Sequence, residues 1–316
     1  MEKRGLCWSI GAMLVLATAV KAEDLVKESL ASLPPETIRM EYSSPAKLRR
    51  LPNYVSLRQR YVGPQLRILE ERFAELGVRE SDIDEVVLGW QGGGEQMELE
   101  GLVTGRFSPK DIADRAEARG LSPSTVGEVP AYCLGPETGS TCVVVVSDAL
   151  GAFGPLSALG TMMAARDGQA PSLASNERFV KLVGEARGPA PIWGVAVGNS
   201  VADWFKAYLP SQGNLQLDWA RAFQSVEALA YSVETAEKVR LEAKMDCATP
   251  EAAQSMRQVF EGLKLFQQLA WQNQYPNRPN PFESVEIGLE GRRVLLKLTT
   301  GYSELESAPA LGTPSN

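Results

Sequence analysis

The chain contains no histidine in its 316 residues. That excludes Ser-His-Asp and Cys-His nucleophile systems in their usual form. It also excludes the histidine-based zinc, iron and copper sites. Acid–base chemistry is left to carboxylates, without the side chain best poised near neutral pH. No Gly-x-Gly-x-x-Gly follows a strand, and no phosphate loop ends in Gly-Lys-Ser/Thr, so no nucleotide motif is present. Beyond residue 20 no apolar run reaches the roughly 20 residues that a membrane-spanning helix needs. Positive charge is in short supply, with 32 basic against 39 acidic residues. An acidic chain repels phosphate backbones, which argues against general nucleic-acid binding. None of these patterns implies a cofactor or a metal.

What is present begins with an export signal. Lys3 and Arg4 precede an uncharged, mostly apolar run from Leu6 to Val20, and Val20-Lys21-Ala22 offers small residues for cleavage. The pattern predicts a signal peptide over residues 1–22; retained, the same stretch serves as an anchor. Without Glu2, Lys3, Arg4 and Lys21 the chain keeps 29 basic and 38 acidic residues, a net charge of −9. Cys7 opens the apolar run instead of following it, so it is not a lipid-anchor cysteine. An exported chain meets oxidising conditions. Cys133 and Cys142 flank the turn-like segment Gly135–Ser140 and are predicted to face each other across a hairpin, within reach of a disulfide. The other reading is a pair of small apolar sheet residues. Cys247 has no evident partner and is expected to be buried.

The remaining chain reads as a duplication. The order strand, helix, hairpin, helix, hairpin, helix runs from about Ile38 to Gly168 and again from about Ile192 to Glu306. In the first copy a helix over Pro64–Leu76 precedes strands over Ile83–Trp90 and Met97–Phe107, which turn at Gly92-Gly93-Gly94. Ser108-Pro109 opens a helix to Gly120. A second hairpin follows, Thr125–Cys133 with Cys142–Val146, then a helix over Leu156–Asp167. The second copy has a strand at Pro191–Val197, a helix through Tyr208, and a hairpin of Val226–Val233 with Lys238–Asp246. Thr249-Pro250 then opens a helix to about Leu269, and the last hairpin joins Val285–Leu289 to Arg293–Leu298. Leu99-Glu100 recurs as Leu241-Glu242 at an offset of 142, and Ser108-Pro109 as Thr249-Pro250 at 141. One extra residue in one copy fits a bulge. The predicted class is α+β: two tandem antiparallel sheets of four or five strands, each with helices on one face. The divisions are 1–22 signal peptide, 23–175 first repeat, 176–306 second repeat and 307–316 disordered tail. Residues 23–32 read as a polar leader.

Several side-chain groups stand out. Ser44 and Lys47 have Ser-x-x-Lys spacing, but neither Ser-Asp-Asn nor Lys-Thr-Gly accompanies them, so a helix cap is the expected role. Gly151 and Gly154 are expected in a strand-to-helix turn. Asp82, Asp84, Glu85 and Asp148 are expected to cap and solvate, since glycoside hydrolysis needs two carboxylates facing across a cleft. Trp90, beside the triple-glycine turn, is a candidate interface anchor at a mobile hairpin tip; the alternative is packing on its own sheet. The loop from Trp271 to Phe282 holds three prolines and would present Trp271, Tyr275 and Phe282 with little entropy loss; the alternative is a stiff connector whose aromatics pack on the domain. The basic stretch Lys47, Arg49, Arg50, Arg58 and Arg60, interleaved with Tyr54 and Tyr61, is a candidate surface for an anionic partner; the alternative is an ordinary charged face.

The opening Leu33-Pro34-Pro35-Glu36-Thr37, followed by a strand, resembles a loose group of uncharacterised exported bacterial proteins with a Leu-Pro-x-x-Thr opening and repeated α+β units. The resemblance spans most of residues 33–306. It implies export and a duplicated fold, and it carries no activity and no site residue. The reading that follows is a non-enzymatic envelope protein that binds another envelope protein or a polymer, in an unspecified oligomeric state. A carboxylate-dependent hydrolase acting on envelope material is the alternative.

Overall fold

A computed structural model describes residues 24–62, 64–92, 97–136, 140–208 and 218–307. Residues 1–22, read above as a signal peptide, the tip of the triple-glycine hairpin and residues 308–316 lie outside the described residues. The order is α1 (Leu25–Ser32), β1 (Arg39–Ser43), α2 (Pro45–Leu48), α3 (Tyr54–Tyr61), α4 (Pro64–Glu75), β2 (Ile83–Gln91), β3 (Glu98–Gly105), α5 (Pro109–Ala118), β4 (Ser124–Val126), β5 (Val129–Leu134), β6 (Thr141–Val145), β7 (Leu150–Gly154) and α6 (Leu156–Arg166). It continues with α7 (Glu177–Ala186), β8 (Ile192–Val197), α8 (Ser200–Tyr208), α9 (Trp219–Phe223), β9 (Val226–Thr235), β10 (Val239–Cys247), α10 (Pro250–Gln274), β11 (Val285–Glu290), β12 (Arg293–Thr300) and α11 (Tyr302–Ser307). Helix starts carry the side chains that satisfy free backbone N–H groups: Asp24 accepts from Val26, Ser108 from Asp111, Asn176 from Phe179 and Thr249 from Ala252.

The twelve strands among the described residues form a single antiparallel sheet in the order β11-β12-β10-β9-β8-β1-β2-β3-β7-β6-β5-β4. At its centre β1 pairs with β8, from Arg39 opposite Ala196 to Ser43 opposite Ile192. Because side chains alternate between faces, neighbouring residues of one strand enter different cores. On one face Met40, Tyr42, Val87, Leu102, Val144, Trp193 and Ala230 pack with α1, α6 and α7. On the other, Leu88, Trp90, Val103 and Phe153 pack under α4 and α5. On that same second face Ala196, Leu229, Ala243 and Val294 pack under α8, α9 and α10.

Helices therefore cover both faces, which corrects the expectation of a single covered face. A strand buried on both sides reads as a continuous apolar run without alternation, as Val143–Val146 and Val86-Val87-Leu88 do. Three further corrections concern elements. Residues 25–32 are helix and not a polar leader, with Leu25, Val26, Ser29 and Ser32 buried. Gly151 and Gly154 lie in a fully buried strand, β7, between β3 and β6. The helix expected to end near Leu269 continues to Gln274, so Trp271 is helical and not part of a loop.

Candidate functional site

The features singled out in the sequence do not converge. Trp90 is buried in the sheet, with the Arg39 guanidinium 4.2 Å from its ring centre, so it is no exposed anchor. Arg39 donates in turn to the buried Glu41 carboxylate at 2.6 Å, and Trp204 Nε1 donates to the same oxygen at 3.1 Å. This polar bridge lies on β1, between the two cores of that face. Arg-Met-Glu in a strand places Arg39 and Glu41 on one side, a signal that the sequence reading passed over.

The basic stretch is largely engaged within the molecule. Arg49 donates to the Glu80 carboxylate and backbone oxygen, both at 2.9 Å, and to Ile83 O at 3.0 Å. Arg58 pairs with Glu70, Tyr54 donates to Glu80, and Tyr61 donates to Leu305 O. Arg50 alone among the chosen cations is plainly exposed without a partner among the described residues. Ser44 caps α2 by accepting from Lys47 N, while the Lys47 ammonium reaches Pro189 O, so the two side chains form no dyad. Asp82 accepts from Arg79 N, and Glu85 accepts from the Tyr42 hydroxyl at 2.5 Å. Burial and the adjacent carboxylate raise the Tyr42 pKa.

Cys133 and Cys142 are directly opposed on β5 and β6 and form a disulfide. Cys247 is free and buried, as expected, and burial raises its thiol pKa. Among the described residues no group of three or more Cys, Asp or Glu is placed to hold a metal ion, and no helix is long and apolar enough to cross a membrane.

The second aromatic candidate lies at the outer end of the sheet. Thr249 and Pro250 start α10, whose buried stripe Ala253, Met256, Phe260 and Trp271 holds it against β10, β12 and β11. The chain then returns through a 3-10 turn at Pro281–Ser284 into β11. Asn280 fastens this return by donating to Gln268 O at 3.1 Å and accepting from Phe282 N at 3.1 Å. Trp271 is buried, with Tyr275 at 4.7 Å and Phe282 at 6.3 Å between ring centres. Arg278 lies over the Tyr275 ring at 5.2 Å. The three rings thus brace the end of α10 instead of projecting into solvent. Trp271 Nε1 and Gln267 Oε1, one helical turn apart, are buried without a hydrogen-bond partner.

Behind this brace, α10 turns a second apolar stripe outward. Leu265, Phe266 and Leu269 are 57%, 38% and 53% exposed. At spacings of three and four with Gly262 they form one face, which on sequence alone reads as core. Lys264, next to Leu265, donates to Val285 O at 2.6 Å, so the stripe begins beside the edge strand β11. On the opposite face of the sheet a hollow of about 470 Å³ is lined by Arg240, Glu242, Glu283, Glu286 and Lys297. A second hollow, about 590 Å³, lies at the strand ends near Ile38, Ser200 and Glu227. The Glu227 carboxylate there is held by Arg178 and Arg292, each at 3.1 Å.

No family model and no curated protein matches the chain. Among solved structures, crystal form I of TP0453 superposes with a TM-score of 0.51 at 10% identity, covering 88% of this chain and 95% of that one. Crystal form III of TP0453 gives 0.49 at 12% identity, over 88% and 96%. At these identities the likeness is one of fold alone: helices with one large antiparallel sheet.

Proposed function

We propose that the protein is an exported, non-enzymatic binding or scaffold protein of the bacterial envelope, and that it binds through the α10–β11 end of its sheet. One observation carries the reading. Leu265, Phe266 and Leu269 form an exposed apolar face on a helix whose other side is already packed. Covering the roughly half of each leucine that is still exposed is worth about 1 kcal/mol, and contiguous exposed apolar surface marks interaction sites. The braced rings of Trp271, Tyr275 and Phe282 support the role by holding the helix end in place, which lowers the entropy lost on binding.

Export rests on the N-terminal signal pattern and fits the Cys133–Cys142 disulfide. The tandem-copy reading draws support from strand order. Outward from the β1–β8 contact the sheet runs β1, β2, β3, β7, β6 on one side and β8, β9, β10, β12, β11 on the other, with a helix between corresponding hairpins. The hydrolase alternative gains no such support. Glu100, pushed up to about 7 by burial, is only 1% exposed and accepts from Gln91 at 2.8 Å, so its carboxyl is closed off from solvent.

The test places a photo-crosslinking residue at position 266 in the full chain, expressed in an exporting bacterium. A control carries it at the exposed Lys110. The expected result is one envelope adduct from position 266, none from position 110, and a mature N-terminus at residue 23. Equal adducts from both positions, or none from 266, overturn the binding role of this end.

A further inference from the structure

The geometry points to strand addition at β11. We infer that this edge takes up an extended segment of another protein, with basic residues four positions apart and apolar residues between them. The inference rests on the binding reading above and names the partner's chemistry.

The sheet has two edges. β4 is three residues long and touches α6, and short, covered edges are protected ones. β11 is six residues long and, among the described residues, pairs only on its β12 side. Its hairpin closes through the two residues Gly291 and Arg292. Gly291 has φ +58°, and no non-glycine residue has a positive φ among the described residues, which is the type II′ pattern. In such a hairpin the flanking pair, Glu290 with Arg293, exchanges hydrogen bonds. Alternation then turns the backbone groups of Glu290, Gly288 and Glu286 inward, and those of Val285, Ile287 and Leu289 outward. Lys264 meets the Val285 carbonyl, which confirms the direction. Ile287 and Leu289 have no partner on that side among the described residues.

Charge specifies what fits. In register, Glu242 on β10 faces Lys297 on β12, which faces Glu286 on β11. Four residues along, Asp246 faces Arg293, which faces Glu290. The rows thus run acidic, basic, acidic toward the edge. The basic row leans inward: Lys297 pairs with Glu242 at 3.9 Å, and Arg293 with Asp246 at 2.6 Å and Glu185 at 3.0 Å. Glu286 and Glu290 are exposed and have no ion pair among the described residues. The next strand in this ladder is basic at both positions, since opposite charges across a strand pair attract and like charges repel. Between them Gly288 accepts any small residue. The same rule disfavours a second copy of this chain in the register that sets Glu286 opposite Glu290. On the other face Ile287 and Leu289, with Leu265 of α10 alongside, meet apolar side chains of the incoming strand. This is strand addition with specificity from alternate side chains.

The probe is dye-labelled Val-Lys-Val-Thr-Val-Lys-Val, compared with the same peptide carrying glutamate for lysine, against the full mature chain. The lysine peptide is expected to bind about tenfold or more tighter, a difference of roughly 1.4 kcal/mol. Binding should slow amide exchange at Ile287 and Leu289. The variant Ile287→Pro loses an outward donor only, a placement that edge strands tolerate, and should lower affinity by a similar factor. The double variant Glu286→Lys with Glu290→Lys should reverse the peptide preference. Unchanged binding by Ile287→Pro, no charge preference, or no added protection at Ile287 and Leu289 overturns strand addition. A position-266 adduct that survives Ile287→Pro leaves the binding role standing and removes strand addition alone. Peptide binding without any envelope adduct does the reverse.

Discussion

Among the carboxylates, Glu100 departs far from solution behaviour. Its cross-strand neighbour on β2 is Gly89, and a Cβ at Gly154 on the other side would lie 3.0 Å from the Glu100 Cβ. No cation flanks it there. Gln91 donates to one carboxyl oxygen, and the other has no partner. Burial pushes the carboxyl up to about 7, against the lowering effect of the Gln91 hydrogen bond and with a smaller push from Glu98. The folded state therefore holds the proton more tightly than the unfolded chain, whose value is 4.5. Stability from this group is complete below about pH 4.5 and drains away as pH rises to about 7. The difference amounts to about 3 kcal/mol. Glu100→Gln should abolish this dependence and be the more stable protein at pH 8, with little difference at pH 4. Urea unfolding at both values checks it, and a variant no more stable at pH 8 refutes it. No spacing in the sequence marks Glu100, because burial without a partner depends on which strands land beside it.

At the scale of elements, local signals were legible and distant ones were not. The Cys133–Cys142 opposition follows from a hairpin register fixed within a few residues, and it is found. Helix caps at Ser108 and Thr249 mark real starts. β7 escaped because Leu-Gly-Ala-Phe-Gly has weak β-propensity. It is a strand because β3 and β6 pair with it on both sides, and Gly101 leaves room for the Phe153 ring, which a Cβ there would meet at 2.6 Å. The end of α10 was misplaced because the Trp271 ring docks on Tyr275 and Phe282, contacts outside any helical periodicity. The same short range sets the disulfide's worth. Closing a loop of this size stabilises by about 2–3 kcal/mol in the chain-entropy description. Replacing Cys133 and Cys142 with serine should cost that much in urea unfolding. It should also speed amide exchange across β5 and β6 before it does so in β9 and β10. A loss spread evenly over the sheet would show that the bond acts beyond its hairpin.

For the molecule as a whole, strand order could not be read because pairing across the centre joins residues as far apart in sequence as Arg39 and Ala196. That pairing decides how the protein unfolds. One face carries two separate cores, joined by the Arg39–Glu41–Trp204 bridge. The other carries a single core that runs across the β1–β8 contact, from Leu102 and Ala152 to Val195 and Ala230, beneath α1, α6 and α7. Trp193, 1% exposed, stacks on Tyr42 at 5.3 Å within this shared core. Neither half can bury its central strand alone, since β1 without β8 keeps β2 but loses its other partner and this stack. The two halves should therefore unfold in one cooperative step, with calorimetric and van't Hoff enthalpies in agreement. Trp193→Ala should cost about 3–5 kcal/mol. It should raise amide exchange by the same free energy in β3 and in β10, which lie on opposite sides of the contact. Two resolved transitions, or a variant that loosens β10 while β3 keeps its protection, would mean that the halves are independent domains and that the β1–β8 pairing is a docking contact between them.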